Sequence, residues 1–315
     1  MILKNKSIGL TLVFLSTAYI SFCQLPDSSA DLPAEVRSLV AAGNLPKSEE
    51  ELSRFVASHP ASANAHFLLG YILFREKKAL QSLGEFNAGA RLRQPKSDEL
   101  KTVASDYVLL GDYAKADKWF TEVTARSPND PDAWYLLGRT KYSEDGFVEA
   151  VASFERALTL RPRYIEAANN IGLSWRELND KEKAKAAFQN AIDWQGANPV
   201  DPQPFLNLGT LLVDEEDSKL AVPFLTKAAA ISPDNPKIHE ELGQAFEKQN
   251  NLSQAQTELE KAVKLAPNVS SLHFKLGRLY RRKGMSERAQ EEFEFCRKLD
   301  STQSSTSTPN PYLPN

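Results

Sequence analysis

The feature that most limits what this chain can fold into is a thirty-four-residue period in side-chain bulk. With Pro131 as position 1, position 8 is Gly138, position 20 is Ala150, position 24 is Phe154, position 27 is Ala157 and position 32 is Pro162. One step back, from Ser97, those positions hold Ala104, Ala116, Phe120, Val123 and Pro128. One step forward, from Ile165, they hold Gly172, Ala184, Phe188, Ala191 and Gly196. After a three-residue insertion the frame restarts at Pro202 with Gly209, Ala221, Leu225, Ala228 and Pro233. From Pro236 it gives Gly243, Ala255, Leu259, Ala262 and Pro267, and from Ser270 it gives Gly277, Ala289, Phe293, Cys296 and Ser301. A period of this length means stacked supersecondary units rather than one closed core.

Within each period the apolar residues fall at helical spacing in two runs, which predicts two antiparallel helices joined by a short turn. Small residues at positions 8 and 20 let the helices approach closely. Large ones at 7 and 24, such as Leu137 and Phe154, fill the space beside them. Gly or Asn at position 15 (Gly111, Asn179, Asn250, Gly284) ends the first helix. Pro at position 32 ends the second, having no N–H with which to continue it. The pattern closely resembles the tetratricopeptide repeat family over most of the chain, with six clear repeats and two divergent ones. Of the divergent pair, the repeat from Ala63 keeps Gly70 and Phe86 but has Ser82 and Gly89 for the two alanines. The repeat from Ser29 keeps little except Gly43 and Pro60. The resemblance implies an all-α, right-handed solenoid of antiparallel helix hairpins over residues 29–300, with repeats starting near 29, 63, 97, 131, 165, 202, 236 and 270.

Residues 1–23 stand apart. Lys4 and Lys6 precede an apolar run from Ile8 to Phe22, as the first two regions of a secretory signal do. Three readings are open: a signal cleaved before Gln24, a lipoprotein acylated at Cys23 (which bulky Phe22 disfavours), or an uncleaved anchor. All three place the rest of the chain outside the cytoplasm, periplasmic or secreted, with any membrane association confined to this segment. Residues 24–28 form a short linker. The Ser/Thr/Pro-rich residues 301–315 read as a disordered tail.

The repeat accounts for most residues that would otherwise suggest chemistry. His66, His239 and His273 all occupy position 4, where another repeat has Trp134, so they read as packing, and His59 precedes Pro60 at a helix end. No histidines have metal-ligand spacing, and Cys23 and Cys296 are too few for a disulfide framework or a zinc site. Cys296 falls at the small position 27 and reads as a buried thiol. Position 11 (Tyr107, Trp175, Leu212, Phe246, Tyr280) reads as core. No phosphate-binding loop, dinucleotide fingerprint or nucleophile elbow occurs, so no catalytic, metal or cofactor residue is assigned and the chain is expected to be non-enzymatic. A net charge of −3 gives no bulk basicity for nucleic acid.

Function is therefore sought at positions that the repeat leaves free. The resemblance implies that first helices line a concave groove, mainly through positions 2, 5, 6, 9, 12 and 13. Three zones follow. An aromatic zone holds Phe67, Tyr71 and Phe74, then Tyr135, Arg139 and Tyr142. These side chains could equally pack between neighbouring first helices, and Tyr142 stands beside Lys141, the polar occupant of position 11. An amide zone holds Asn169, Asn170 and Asn207, with Arg176; Asn donates and accepts at once and can clamp an extended peptide backbone. A basic zone holds Lys275, Arg278, Arg281 and Arg282, with Lys283 in the turn, and suits an acidic peptide, a carboxylate or an anionic surface. Glu291, Glu292 and Glu294 nearly balance that charge in sum but not in place. A solvated polar face is the alternative for both polar zones.

Phe295 breaks the pattern, because it sits at position 26 where other repeats are polar. It marks the last helix as a contact site, covered by Tyr312 and Leu313 or by a partner. The insertion Gly196–Pro204 reads as a hinge or as a longer surface loop. The expectation is an exported scaffold that binds a peptide or partner protein along the groove. The alternative is an accessory subunit of envelope assembly, pilus or polysaccharide export machinery, presenting substrate to a separate catalyst. Asn251 and Asn268 begin glycosylation sequons.

Overall fold

The structure is a computed structural model that describes residues 32–306. The N-terminal segment (1–23), the linker (24–28), Tyr312 and Leu313 lie outside the described residues. The chain divides into two compact bodies at Asp112/Tyr113. The first body holds α1 (Ala34–Ala41), α2 (Leu45–Ser58), α3 (Ala63–Arg75), α4 (Ala79–Leu92) and α5 (Ser97–Leu109). The second holds α6 (Tyr113–Arg126), α7 (Pro131–Ser143), α8 (Phe147–Leu160), α9 (Ile165–Glu177), α10 (Lys181–Asp193), α11 (Gln203–Asp214), α12 (Ser218–Ile231), α13 (Pro236–Lys248), α14 (Leu252–Leu265), α15 (Ser270–Arg282) and α16 (Ser286–Thr306). No strand occurs among the described residues. Within each body consecutive helices pack in sequence order, and alternate first helices also touch, giving an all-α helical-repeat solenoid.

The period works through one close approach. A Cβ built on Gly138 would lie 2.7 Å from the ring of Phe154, and one on Gly172 would lie 2.5 Å from Phe188. Position 24 is correspondingly sealed: Phe120, Phe154, Phe188, Leu225 and Leu259 are fully buried. In these hairpins even a methyl group at position 8 would meet the position-24 ring, so glycine there sets how closely the two helices approach.

Position 15 is a left-handed cap in every repeat, whatever residue occupies it. Gly43, Gly111, Asn179, Asn250 and Gly284 take positive φ, and so do Lys77, Asp145 and Glu216. The following N–H closes the motif onto a carbonyl five residues back, as Asp112 N does to Tyr107 O at 2.9 Å and Asp217 N to Leu212 O at 2.9 Å. Five repeats therefore hold a non-glycine cap, and in three of them (Lys77, Asp145 and Glu216) the residue is not asparagine either.

Position 4 fastens one repeat to the link before it. Trp134 Nε1 donates to Pro128 O at 3.0 Å. His66, His239 and His273 place Nε2 3.1, 2.8 and 2.8 Å from the carbonyls of Pro60, Pro233 and Pro267. Their Nδ1 atoms lie 2.6 Å from Glu85, Glu258 and Glu292 on the second helix. These histidines pack, and they also clip.

The insertion after α10 is an ordered loop. Gln195 Oε1 accepts from the backbone N–H groups of Val200 and Asp201, at 3.1 and 2.9 Å, and its Nε2 donates to Asp201 O at 3.1 Å. One apolar cluster runs from Ala184 to Ala245 beneath it, so the stack is continuous there.

Two expectations need correction. The tail does not begin at 301: α16 continues to Thr306, because position 32 is Ser301 rather than proline. Cys296 is only half-buried, because among the described residues no further helix covers its face.

Candidate partner-binding face

The first helices α7, α9 and α11 bring the amide zone together. Asn207 Nδ2 on α11 donates to Asn169 Oδ1 on α9 at 2.8 Å. This bond uses one N–H of Asn207 and leaves both amide N–H groups of Asn169 and the side-chain carbonyl of Asn207 without a side-chain partner among the described residues. Asn170 turns the other way: its Nδ2 donates to Glu166 O at 2.7 Å and reaches the Tyr135 hydroxyl at 3.4 Å. Arg176 contacts its neighbour Glu177 at 3.3 Å.

Tyr135 joins this patch from α7. Its ring lies 5.0 Å from that of Tyr164 and 5.8 Å from that of Phe154, and the Arg139 guanidinium lies 5.9 Å from its centroid. Burial pushes its phenol up from the ordinary tyrosine value. Tyr142 packs edge-on to Phe147 at 5.2 Å, while Lys141 turns away to Asp117 at 2.8 Å. The slip of one residue is real: Tyr142 joins the apolar cluster of α7–α10, where position 11 would otherwise do so.

The remaining aromatics belong to the first body. Phe67 is a core side chain, 4% exposed, against which Gly89 closes to within 3.0 Å of an added Cβ. The Arg93 guanidinium covers its ring at 4.2 Å. Tyr71 is half-buried and accepts from Arg75 at 3.0 Å.

The basic zone on α15 is largely neutralised by α13. Lys275 pairs with Glu240, which Lys237 also approaches at 3.0 Å. Arg278 reaches Glu247 at 3.0 Å. Arg282 donates to Glu247 O at 3.2 Å and to Asn250 Oδ1 at 2.8 Å. Burial pushes Glu240 up, but Lys275 and Lys237 outweigh it and hold the carboxyl below the usual range. Arg281 alone of the four has no acidic partner among the described residues; it lies 5.6 Å from the Phe293 centroid. The buried acids Glu240 and Glu247 escaped sequence reasoning, which looked for counter-charges on the following helix. The available signal was the offset: the contacts recur 31 or 35 residues apart, one repeat away.

Phe295 is 53% exposed and stacks on His273 at 5.1 Å. Phe274, on α15, is 52% exposed against Phe293. Among the described residues no cluster of His, Cys, Asp and Glu could hold a metal, and no helix is long and apolar enough to cross a membrane.

Models described as tetratricopeptide repeat match residues 34–96, 104–165, 135–202 and 212–276. The chain belongs to the tetratricopeptide repeat family. A curated relative, the heat-shock protein cognate co-chaperone sgt12 of Aspergillus fumigatus, is 28% identical over 48% of this chain and 41% of its own length. The chain spans less than half the length of the curated relatives it matches. Two solved structures share the fold. A tetratricopeptide repeat protein from Parabacteroides merdae is 19% identical, covers 80% of this chain and 98% of its own, and superposes with a TM-score of 0.62. PilW, a type IV pilus biogenesis factor, is 18% identical, covers 68% and 95%, and gives 0.55. As a tetratricopeptide repeat protein, this chain is a scaffold for protein–protein interaction.

Proposed function

We propose that the chain is an exported scaffold that holds an extended peptide segment of a partner across α7, α9 and α11. The Asn169–Asn207 pair carries this reading. Its spare N–H and spare carbonyl match the acceptor and donor of one peptide unit, and backbone recognition of that kind tolerates many sequences. Tyr135 and Arg139 flank the pair and supply rigid contact area. Export rests on the Lys4/Lys6 and Ile8–Phe22 pattern. The accessory-subunit reading, in which the chain serves envelope or pilus assembly, draws on the fold shared with PilW.

A photo-crosslinking residue at Asn207, in the full chain in its native cell, tests the main reading. A partner captured there, and not from Glu182 on the exposed face of α10, supports it. Equal capture from both positions, or none from Asn207, overturns it. Recovery of the chain from the cytoplasmic fraction overturns export.

A further inference from the structure

Positions 4 and 23 face each other within a hairpin, as the clipped pairs His66/Glu85, His239/Glu258 and His273/Glu292 show. Phe205 and Phe224 fill the same place with two rings, and Trp134 fills it opposite Ser153. The hairpin of α9 and α10 is the exception in the second body. It has Ala168 at position 4 and Ala187 at position 23. Where sister repeats place a ring, it leaves an open cavity of about 270 Å³ between α8 and α10. Ile171 and Trp175 form its floor, and Leu158 and Trp194 stand at its sides.

Shape and charge both restrict the occupant. A dry cavity of about 150 Å³ already accepts benzene, so this one has room for an indole. Glu155 and Asn190 line the cavity and are exposed, and neither side chain has a partner among the described residues. Both can accept a hydrogen bond. Lys183, the cation at the site, is held 4.0 Å from the Trp175 centroid and 2.9 Å from Asp180. The mouth therefore offers acceptors to a ring that carries an N–H, over an aromatic floor.

We propose that this cavity receives the tryptophan side chain of a partner, with its indole N–H directed to Glu155. The occupant replaces the ring that the sister repeats supply from position 4. The site is lined from α8, α9 and α10 and uses none of Tyr135, Arg139, Asn169 and Asn207, so it stands or falls separately from the peptide reading.

The test uses the full chain and N-acetyl-tryptophanamide, followed by NMR at the Ala187 methyl and the Trp175 and Trp194 indole N–H signals. Saturable shifts at those signals are expected, with N-acetyl-leucinamide about tenfold weaker. Ala168→His with Ala187→Glu restores the sister pair, and it is expected to weaken binding more than tenfold. Should that variant lose helical circular dichroism, Ala187→Leu fills the cavity with a smaller change. Glu155→Ala is expected to weaken the tryptophan probe and leave the leucine probe unchanged. No saturable binding, equal affinity for the two probes, or undiminished binding by a folded, filled variant overturns the proposal.

Discussion

Two buried carboxyl groups, one in each body, stand on comparable first helices in opposite surroundings. Asp106 on α5 is fully buried; its Oδ2 lies 2.6 Å from the Ser82 hydroxyl, and its Oδ1 has no partner. Burial pushes it up to about 7, against the opposing hydrogen bond from Ser82. Ser82 has one proton and also lies 2.8 Å from Gly70 O. Glu240 on α13 is buried too, yet Lys275 and Lys237 keep it ionised. Burial acts alike on both acids. What differs is the residue that meets the carboxyl: a serine at the small position 20 of α4, or two lysines, Lys275 from α15 and Lys237 from one turn earlier on α13 itself.

The largest expected effect is on the first body. A raised acid stabilises fully below its unfolded value, and that stability is lost as pH rises through the folded value. The first body should therefore weaken between pH 3.8 and about 7, by a few kcal/mol at about 1.4 kcal/mol per unit. Amide exchange in α4 and α5 measures this, and Asp106→Asn should flatten the slope. A slope that survives in the variant breaks the comparison at its root.

The second body should respond with the opposite sign at Glu240. A depressed acid contributes stability above its unfolded value of 4.5, which is lost as pH falls through the folded one. Glu240→Gln should remove that share of the acid sensitivity of α13 and α15. Removing the shared carboxylate by Glu247→Ala should cost about 1–2 kcal/mol in urea unfolding, less than for a fully buried pair because both arginines are half-exposed.

A control common to both bodies comes next. Lys77→Gly and Glu216→Gly relieve left-handed caps, and each should add about 0.5–1 kcal/mol at any pH. A gain that varies with pH would mean these caps carry charge effects and blur the contrast. The smallest effect on stability is expected at the amide pair. Asn169→Ala or Asn207→Ala should change it by about 1 kcal/mol or less while abolishing capture from α11. Loss of folding instead would make the pair structural, like the carboxylates of α13.

The hairpins were legible in the sequence because the pattern is itself the contact. Gly138 and Phe154 touch, and a small residue in register with a large one is visible without coordinates. The binding face was legible only in part. Position 5 marked both Phe67 and Asn169 as candidates, yet Phe67 is sealed under Arg93 and Asn169 pairs with Asn207. Likewise, the run of cations on α15 looked open in one dimension, because Glu240 and Glu247 lie a full repeat earlier. The left-handed caps at Lys77, Asp145 and Glu216 carried no compositional signal. There the stack holds a geometry that the residue itself does not favour.

By itself the sequence determined the period, the hairpin and the order of packing, since these follow from bulk and helical spacing along one strand of information. Tertiary structure alone decided which polar groups are already satisfied and which stay free, because a side chain's partner lies about one repeat away on another helix. The same separation explains why two alanines at positions 4 and 23 open a cavity between α8 and α10, although each looks unremarked in its own helix. A void belongs to the gap between elements, and no single element contains it.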